Sequence, residues 1–282
     1  MKKLIALFVF VSFLTLNSFG QEQSLLWKIS GNNLNQDSYL FGTIHMMCPE
    51  DFVMLDKVKT AVEAAEEVIF EVNLFDPANA TQMQEIMMKP EVDFLSSLNA
   101  DQIHVIDSVL AANAMSIQMF DMFSPSMVMS LLSLKSFNCP DIMNVKSMEA
   151  ELFTLAQDKK ISDLETLEFQ MDMMRKIATP EYFYAYLNMY NEATAITQQM
   201  VHAYKTENLS ELDKIMNDPK WMTPEVRDMM LTQRNLRWVE AIPSKIADTK
   251  TFIAVGSGHL GGETGIIKLL RDKGYTLTPI QN

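Results

Sequence analysis

Short apolar runs at residues 38–45, 67–72, 161–165, 251–256 and 275–280 alternate with far longer stretches that carry apolar residues at three- and four-residue steps. Such alternation predicts strands separated by helices, which pack stably as a sheet with helices laid over it. The run Thr251-Phe-Ile-Ala-Val-Gly256 shows no apolar–polar alternation, as expected of a strand covered on both faces in a parallel sheet. Residues 24–29 and 38–45, joined by a polar stretch from Gly31 to Asp37, read as a hairpin. The expected fold is therefore mixed α/β, with a central, mostly parallel sheet and an N-terminal hairpin. The helical stretches at about 80–160 and 168–245 exceed what a strand crossover requires, so they are expected to form a cap over the sheet. Asn99 and Ser124-Pro125 suit helix starts, Thr179-Pro180, Asp218-Pro219 and Thr223-Pro224 suit breaks, and Gly274 suits the end of a helix over 265–272.

The first 20 residues have the layout of a cleavable secretory signal. Met1-Lys2-Lys3 precedes an apolar run over 4–16, and Ser18 and Gly20 supply small residues before the junction. The expectation is a leader over 1–20, a single domain over 21–282, and a periplasmic or secreted location. No later segment has the length and apolarity of a membrane span. The chain holds 23 Lys and Arg against 36 Asp and Glu, a formal net charge of −13 that becomes more acidic once Lys2 and Lys3 are removed. That balance argues against nucleic acid and anionic lipid as partners. Cys48 and Cys139 are the two cysteines. In an oxidising compartment a bridge between them is one possibility, which spacing alone does not decide. The 23 methionines fall at helical spacing among Leu, Ile and Phe, favouring core packing over copper handling.

Two of the four histidines stand in matching contexts, Gly42-Thr-Ile-His45 and Gly256-Ser-Gly-His259, each where an apolar run gives way to a loop. Ligands of open α/β sheets bind beyond the carboxyl ends of the strands, so both imidazoles are candidates for one crevice. Glu71 ends the run over 67–72, and Glu165 and Glu168 follow the run over 161–165. Two imidazoles with a carboxylate form a ligand set for a divalent transition metal, and a neighbouring Glu suits a general base. His104 and His202 sit in polar helical contexts and are read as surface or cap residues. Gly256-Ser-Gly258-His-Leu-Gly261 spells a dinucleotide fingerprint, but no second strand with an acidic residue follows, so nucleotide binding is not expected. Ser257 is a faint nucleophile candidate with no supporting spacing.

The motifs together resemble the TraB/PrgY/GumN family, which includes the animal Tiki proteins. The likeness runs over about residues 25–280. It is carried by Gly42-Thr-Ile-His45, Val-Ile-Phe-Glu71-Val, Leu164-Glu165-Thr166 with Gln170, Arg234-Asn235-x-x-Trp238 and Phe252-Ile-Ala-Val-Gly256-x-Gly-His259-Leu-x-Gly-Glu263-x-Gly265. The resemblance implies a metal-dependent, peptidase-like hydrolase with His45, Glu71 and His259 around a divalent ion (Mn, Co or Zn). It implies catalytic roles for Glu71, Glu165 and Arg234. Arg234 would orient substrate or a carboxylate, a buried ion pair being its other role, and Glu165 and Gln170 would line the cleft or merely brace it. Relatives often open the middle helix with Gly-hydrophobic-Asp; Ser147-Met148-Glu149 departs from this, leaving Glu149 without an implied role. The expected partner is a peptide or small molecule. The rival expectation is a non-catalytic binding protein with a methionine- and aromatic-rich groove.

Overall fold

The computed structural model describes residues 23–91 and 93–281, so the leader reading lies outside the described residues. The chain builds a six-stranded sheet in the order β6-β4-β7-β2-β1-β8. Its strands are β1 (Leu26–Gly31), β2 (Ser38–Thr43), β4 (Glu67–Phe70), β6 (Lys160–Asp163), β7 (Thr251–Gly256) and β8 (Tyr275–Pro279). Pairings β2–β7, β4–β7 and β4–β6 are parallel, whereas β1 runs antiparallel to both β2 and β8. The mixed α/β fold, the mostly parallel sheet and the hairpin over β1 and β2 are as the sequence predicts.

Apolar pattern explains strand position. Every residue of β4 is buried, as are the first five of β7, and these two strands lie side by side in the sheet interior. β8 at the sheet edge alternates buried and exposed residues instead. A second, two-stranded ladder joins β3 (Met46–Met47) to β5 (Lys146–Ser147). Runs this short carry no periodicity, so nothing in the helical stretch expected over about 80–160 marks β5. The helix there is confined to α5 (Met148–Leu155), with the Ser147 side chain accepting from the Ala150 amide at its N-terminus.

The remaining helices fall into two groups. Between β4 and β6 lie α2 (Pro77–Met87), α3 (Ala100–Ala112), α4 (Pro125–Ser136) and α5, following α1 (Asp56–Ala64). Between β6 and β7 lie α6 (Leu167–Ile177), α7 (Pro180–Asn188), α8 (Tyr190–Lys205), α9 (Leu209–Met216), α10 (Pro224–Arg227), a π-helical turn (Asp228–Thr232) and α11 (Gln233–Ile246). α12 (Ile266–Asp272) precedes β8, and Gly274 follows it with φ +93°, a conformation that costs glycine little. Asn99 and Gln102 form a reciprocal cap on α3; Ser124, Thr179 and Thr223 cap helices whose first residue is proline.

One apolar core surrounds the sheet, around Leu40, Ile69, Trp238 and Ile253. A second fills the space between α3, α4 and α7, where the rings of Phe94, Phe120 and Phe183 meet at centroid distances of 5.2, 5.8 and 5.3 Å. Cys48, one residue past β3, is bonded to Cys139, three residues past α4, across a Cα–Cα distance of 5.3 Å. The bridge left open by spacing thus ties the loop after β2 to the helical cap.

Candidate functional site

Register brings the two histidine motifs together. Thr43 pairs with Gly256 at the ends of β2 and β7, so His45 and His259 lie two and three residues beyond paired positions. β4 pairs with β7 on its other side, Ile69 opposite Ile253, and Glu71 follows at the same rim. The β4–β6 ladder continues into the loops through Glu165 N to Glu71 O at 3.0 Å, bringing Glu165 alongside. All four residues therefore stand beyond carboxyl ends of parallel strands.

Gly256 lies among three of these side chains. A Cβ there would stand 3.4 Å from Glu71 Oε1, 3.6 Å from His259 Cδ2 and 3.7 Å from His45 Nε2. The imidazoles and the carboxylate consequently face one small space, held open by the missing side chain. Each is fixed from behind. Glu149 Oε1 accepts from His45 Nδ1 at 2.9 Å and from the Thr43 hydroxyl at 2.7 Å, leaving His45 Nε2 toward the space. His259 Nδ1 lies 2.6 Å from Asn235 Oδ1, and the Asn235 amide nitrogen donates to the Thr264 carbonyl at 2.8 Å. Since that oxygen only accepts, His259 carries its proton on Nδ1, and Nε2 keeps a lone pair. The Gly256 amide donates to Glu71 Oε1 at 2.7 Å.

Arg234 on α11 is the central cation. Its Nε donates to Glu165 Oε1 and Oε2 at 3.1 and 3.2 Å, and Nη2 donates to Glu165 Oε1 at 2.7 Å. Nη2 also donates to Glu71 Oε2, while Nη1 donates to Met230 O at 2.9 Å and to His259 Nε2 at 3.1 Å. The Glu165 side chain is only 4 % exposed, so its charge is spent on holding this guanidinium. Trp238, one turn further along α11, backs both Arg234 and His259 at 4.5 Å. Gln170 donates weakly to Glu71 and Glu165, at 3.4 and 3.3 Å. Glu168 is exposed on α6 and takes no part; His104 and His202 are likewise exposed on their helices, away from the cluster.

These contacts set the charges. Burial pushes the Glu71 carboxyl up, but His259, Arg234, His45 and the Gly256 amide outweigh it and hold the group at about 2. Burial lowers His259 to about 3 with Arg234 assisting, so it is neutral at physiological pH. Glu149 raises His45 to about 9, although that ring is 70 % exposed and its charge is partly screened. Glu149 is held below the usual range because His45 and Thr43 outweigh its burial.

The donor chemistry fits a divalent cation. Glu71 Oε1, His45 Nε2 once it has given up its proton and His259 Nε2 once Arg234 has let it go are the atoms that could hold the ion beside Gly256, and Glu149 and Asn235 are the outer partners that metal-bound histidines commonly have. The arrangement is not closed: among the described residues no three His, Cys, Asp or Glu side chains form a ready cation cage. Arg234 instead bonds both His259 Nε2 and Glu71 Oε2.

Sequence reasoning missed Glu149 and Asn235 as members of the cluster. Asn235 sits beside Arg234 in the sequence, a signal that was visible. Glu149 becomes legible only through the β3–β5 ladder, which delivers Ser147 and the start of α5 to His45.

The fold and this cluster define a class: a mixed α/β protein with a His/Glu/Arg constellation at the carboxyl rim of a mostly parallel sheet. The chain belongs to the TraB/PrgY/gumN family, whose model matches residues 25–279. Neither curated proteins nor solved structures yield a match. Among the described residues no helix is long and apolar enough to cross a membrane.

Proposed function

We propose that the protein is an exported, metal-dependent hydrolase acting on peptides, with His45, Glu71 and His259 holding a divalent ion. The observation that carries this reading is the convergence of those three side chains on the space beside Gly256. A divalent ion there supplies a Lewis acid and makes a water acidic enough to ionise near neutral pH. Hydrolysis then breaks the acyl C–N bond, with the hydroxyl group going to the carbonyl carbon and a proton to the departing amine nitrogen.

The chain's own groups have defined tasks in this reading. Glu149 and Asn235 fix the two rings so that Nε2 of each faces inward. Glu71 is ionised and supplies a ligand oxygen, and within the same carboxylate the second oxygen is the candidate base. Arg234, braced by Glu165, is the donor for negative charge developing on the substrate oxygen. In this reading Arg234 would release His259 Nε2 for the ion and Glu71 Oε2 for its role as base. The Cys48–Cys139 bridge suits the oxidising compartment that an exported protein meets.

The test is hydrolysis of a peptide library before and after chelation. The reading predicts loss with chelator, restoration by Mn²⁺ or Co²⁺, and a drop of at least about 10²-fold in His45→Ala and His259→Ala variants shown to be folded. Full activity in either folded variant would overturn it. One observation favours a second reading, capture of a peptide without cleavage: Arg234 already satisfies Glu71 and His259, so the cluster is stable without an ion. Tight binding with unchanged peptide masses would establish that reading instead.

A further inference from the structure

Two cavities with mostly apolar walls meet at the cluster, the larger also touching Lys89, Glu91 and Arg175. The larger, about 630 Å³, opens between α2, α4, α6 and the π-helical turn, and its walls include Met83, Met87, Met171, Met173, Met174 and Met230. The smaller, about 300 Å³, is walled by Phe70, Val72, Phe75, Ala150 and Ala254, with Phe75 stacked on Phe153 at 4.4 Å. His45, Met46, Glu71, Leu74 and Gln170 line both cavities. The candidate reactive groups therefore form the partition between two apolar chambers of unequal size, rather than the blind end of one.

A pocket that ends at its reactive groups accepts a chain terminus. A partition with an apolar chamber on each side accepts a chain that continues past the reacting bond in both directions. The wall chemistry differs between the chambers. Methionines on the larger side are unbranched and adaptable, suiting groups of varied shape. Aromatic and small residues on the other side give a fixed, narrower space. One polar feature distinguishes a peptide from a plain hydrocarbon occupant. Ser126 lines the larger chamber among the methionines. Its hydroxyl both donates and accepts, so the backbone of a bound peptide can bond to it and a hydrocarbon cannot.

We infer that the substrate is an apolar peptide segment bound through its interior, with one apolar side chain on each side of the reacting bond and the bulkier, less restricted one in the methionine-lined chamber. This rests on the hydrolase reading for the reaction, but the two-chamber specificity stands on the cavities themselves.

The experiment uses synthetic octapeptides, acetylated and amidated at their ends, in which the two central positions carry every pairing of Leu, Phe, Met, Gly, Ser, Asp and Lys. Cleavage sites are read by mass spectrometry and binding by calorimetry. The inference predicts cleavage at the central bond, with doubly apolar pairs processed at least about tenfold faster than pairs holding Gly, Ser or a charged residue at either position. Ser130→Phe, which narrows the larger chamber, should shift preference on one side of the bond. Ala150→Phe, which narrows the smaller, should shift it on the other. Cleavage indifferent to these pairings, or confined to peptides with a free end, would overturn the inference and leave the hydrolase reading standing. Binding with the predicted preference and no cleavage would uphold the two chambers and overturn the hydrolase. Neither binding nor cleavage of the apolar pairs would overturn the inference on the wild-type protein alone, whatever the variants do.

Discussion

A methyl group on Gly256 would meet Glu71, His259 and His45 at 3.4 to 3.7 Å, ordinary van der Waals distances, on a backbone with φ −53° that alanine adopts freely. Gly256→Ala should therefore fold with stability within about 1 kcal/mol of the parent while filling the space the three donors face. Gly42→Ala is the contrasting case, because its Cβ would stand 2.6 Å from Leu260 Cδ1 and 3.0 Å from Ser257 Cα in the packed core. That change should cost about 1–3 kcal/mol through overpacking. Urea denaturation and Mn²⁺ titration of both variants check the pair. A Gly256→Ala protein that binds Mn²⁺ as the parent does would mean that the space is not the site. At this scale the sequence was informative for His45, His259, Glu71, Arg234 and Glu165, since strand-end residues and the Arg-Asn pair are read directly. It was silent on what Arg234 does, because the spacing of Glu71, Glu165 and Arg234 along the chain carries no information about their hydrogen bonds.

The two-residue strands β3 and β5 do more for the site than their length suggests. β3 follows His45 directly, β5 precedes the Glu149 that holds it, and the Cys48–Cys139 bond fastens the same loop to the end of α4. The bridge closes a loop of 91 residues, for which chain-entropy arguments give about 4–5 kcal/mol at most. A Cys48→Ser, Cys139→Ser protein should lose about 2–5 kcal/mol in urea denaturation. An unchanged midpoint would show that the cap and the β3–β5 ladder hold the loop without it. Elements with strong periodicity or clear caps, such as β7, α3 and α4, were legible in the sequence. The β3–β5 ladder was not, because two residues cannot show a period and their pairing partner lies about 100 residues away.

Over the whole molecule, the buried titratable groups make stability depend on pH in a defined direction. His259 is lowered to about 3 against an ordinary 6.5, and Glu71 to about 2 against 4.5, so the unfolded chain binds protons that the folded chain refuses. Their contributions are complete above the unfolded values and decline as pH falls through 6.5 and then 4.5 toward the folded ones. Glu67, held below its usual range because hydrogen bonds from Ser162 and Lys160 outweigh its burial, adds to the lower limb. Urea denaturation between pH 8 and 3.5 should show stability falling below about pH 6.5 and more steeply below 4.5. His259→Gln should remove the upper limb, and a parent whose stability is flat from pH 7 to 5 would contradict the assignment of a neutral, buried His259. At this scale the sequence conveyed the α/β class and the rim on which the motifs meet, since strand-helix alternation determines both. It did not convey the strand order or the two chambers, which arise from how α2, α4, α5 and α6 pack around His45 and Glu71.

The central claim is that one divalent ion sits where His45, Glu71 and His259 converge. An anomalous-scattering map from crystals equilibrated with Mn²⁺ reads this position directly. The account predicts a peak within about 2.0–2.3 Å of Nε2 of both histidines and of a Glu71 oxygen, with Arg234 turned away from His259. Mn²⁺-dependent cleavage in a protein whose only peak lies elsewhere, with Arg234 still bonded to His259 and Glu71, would contradict it.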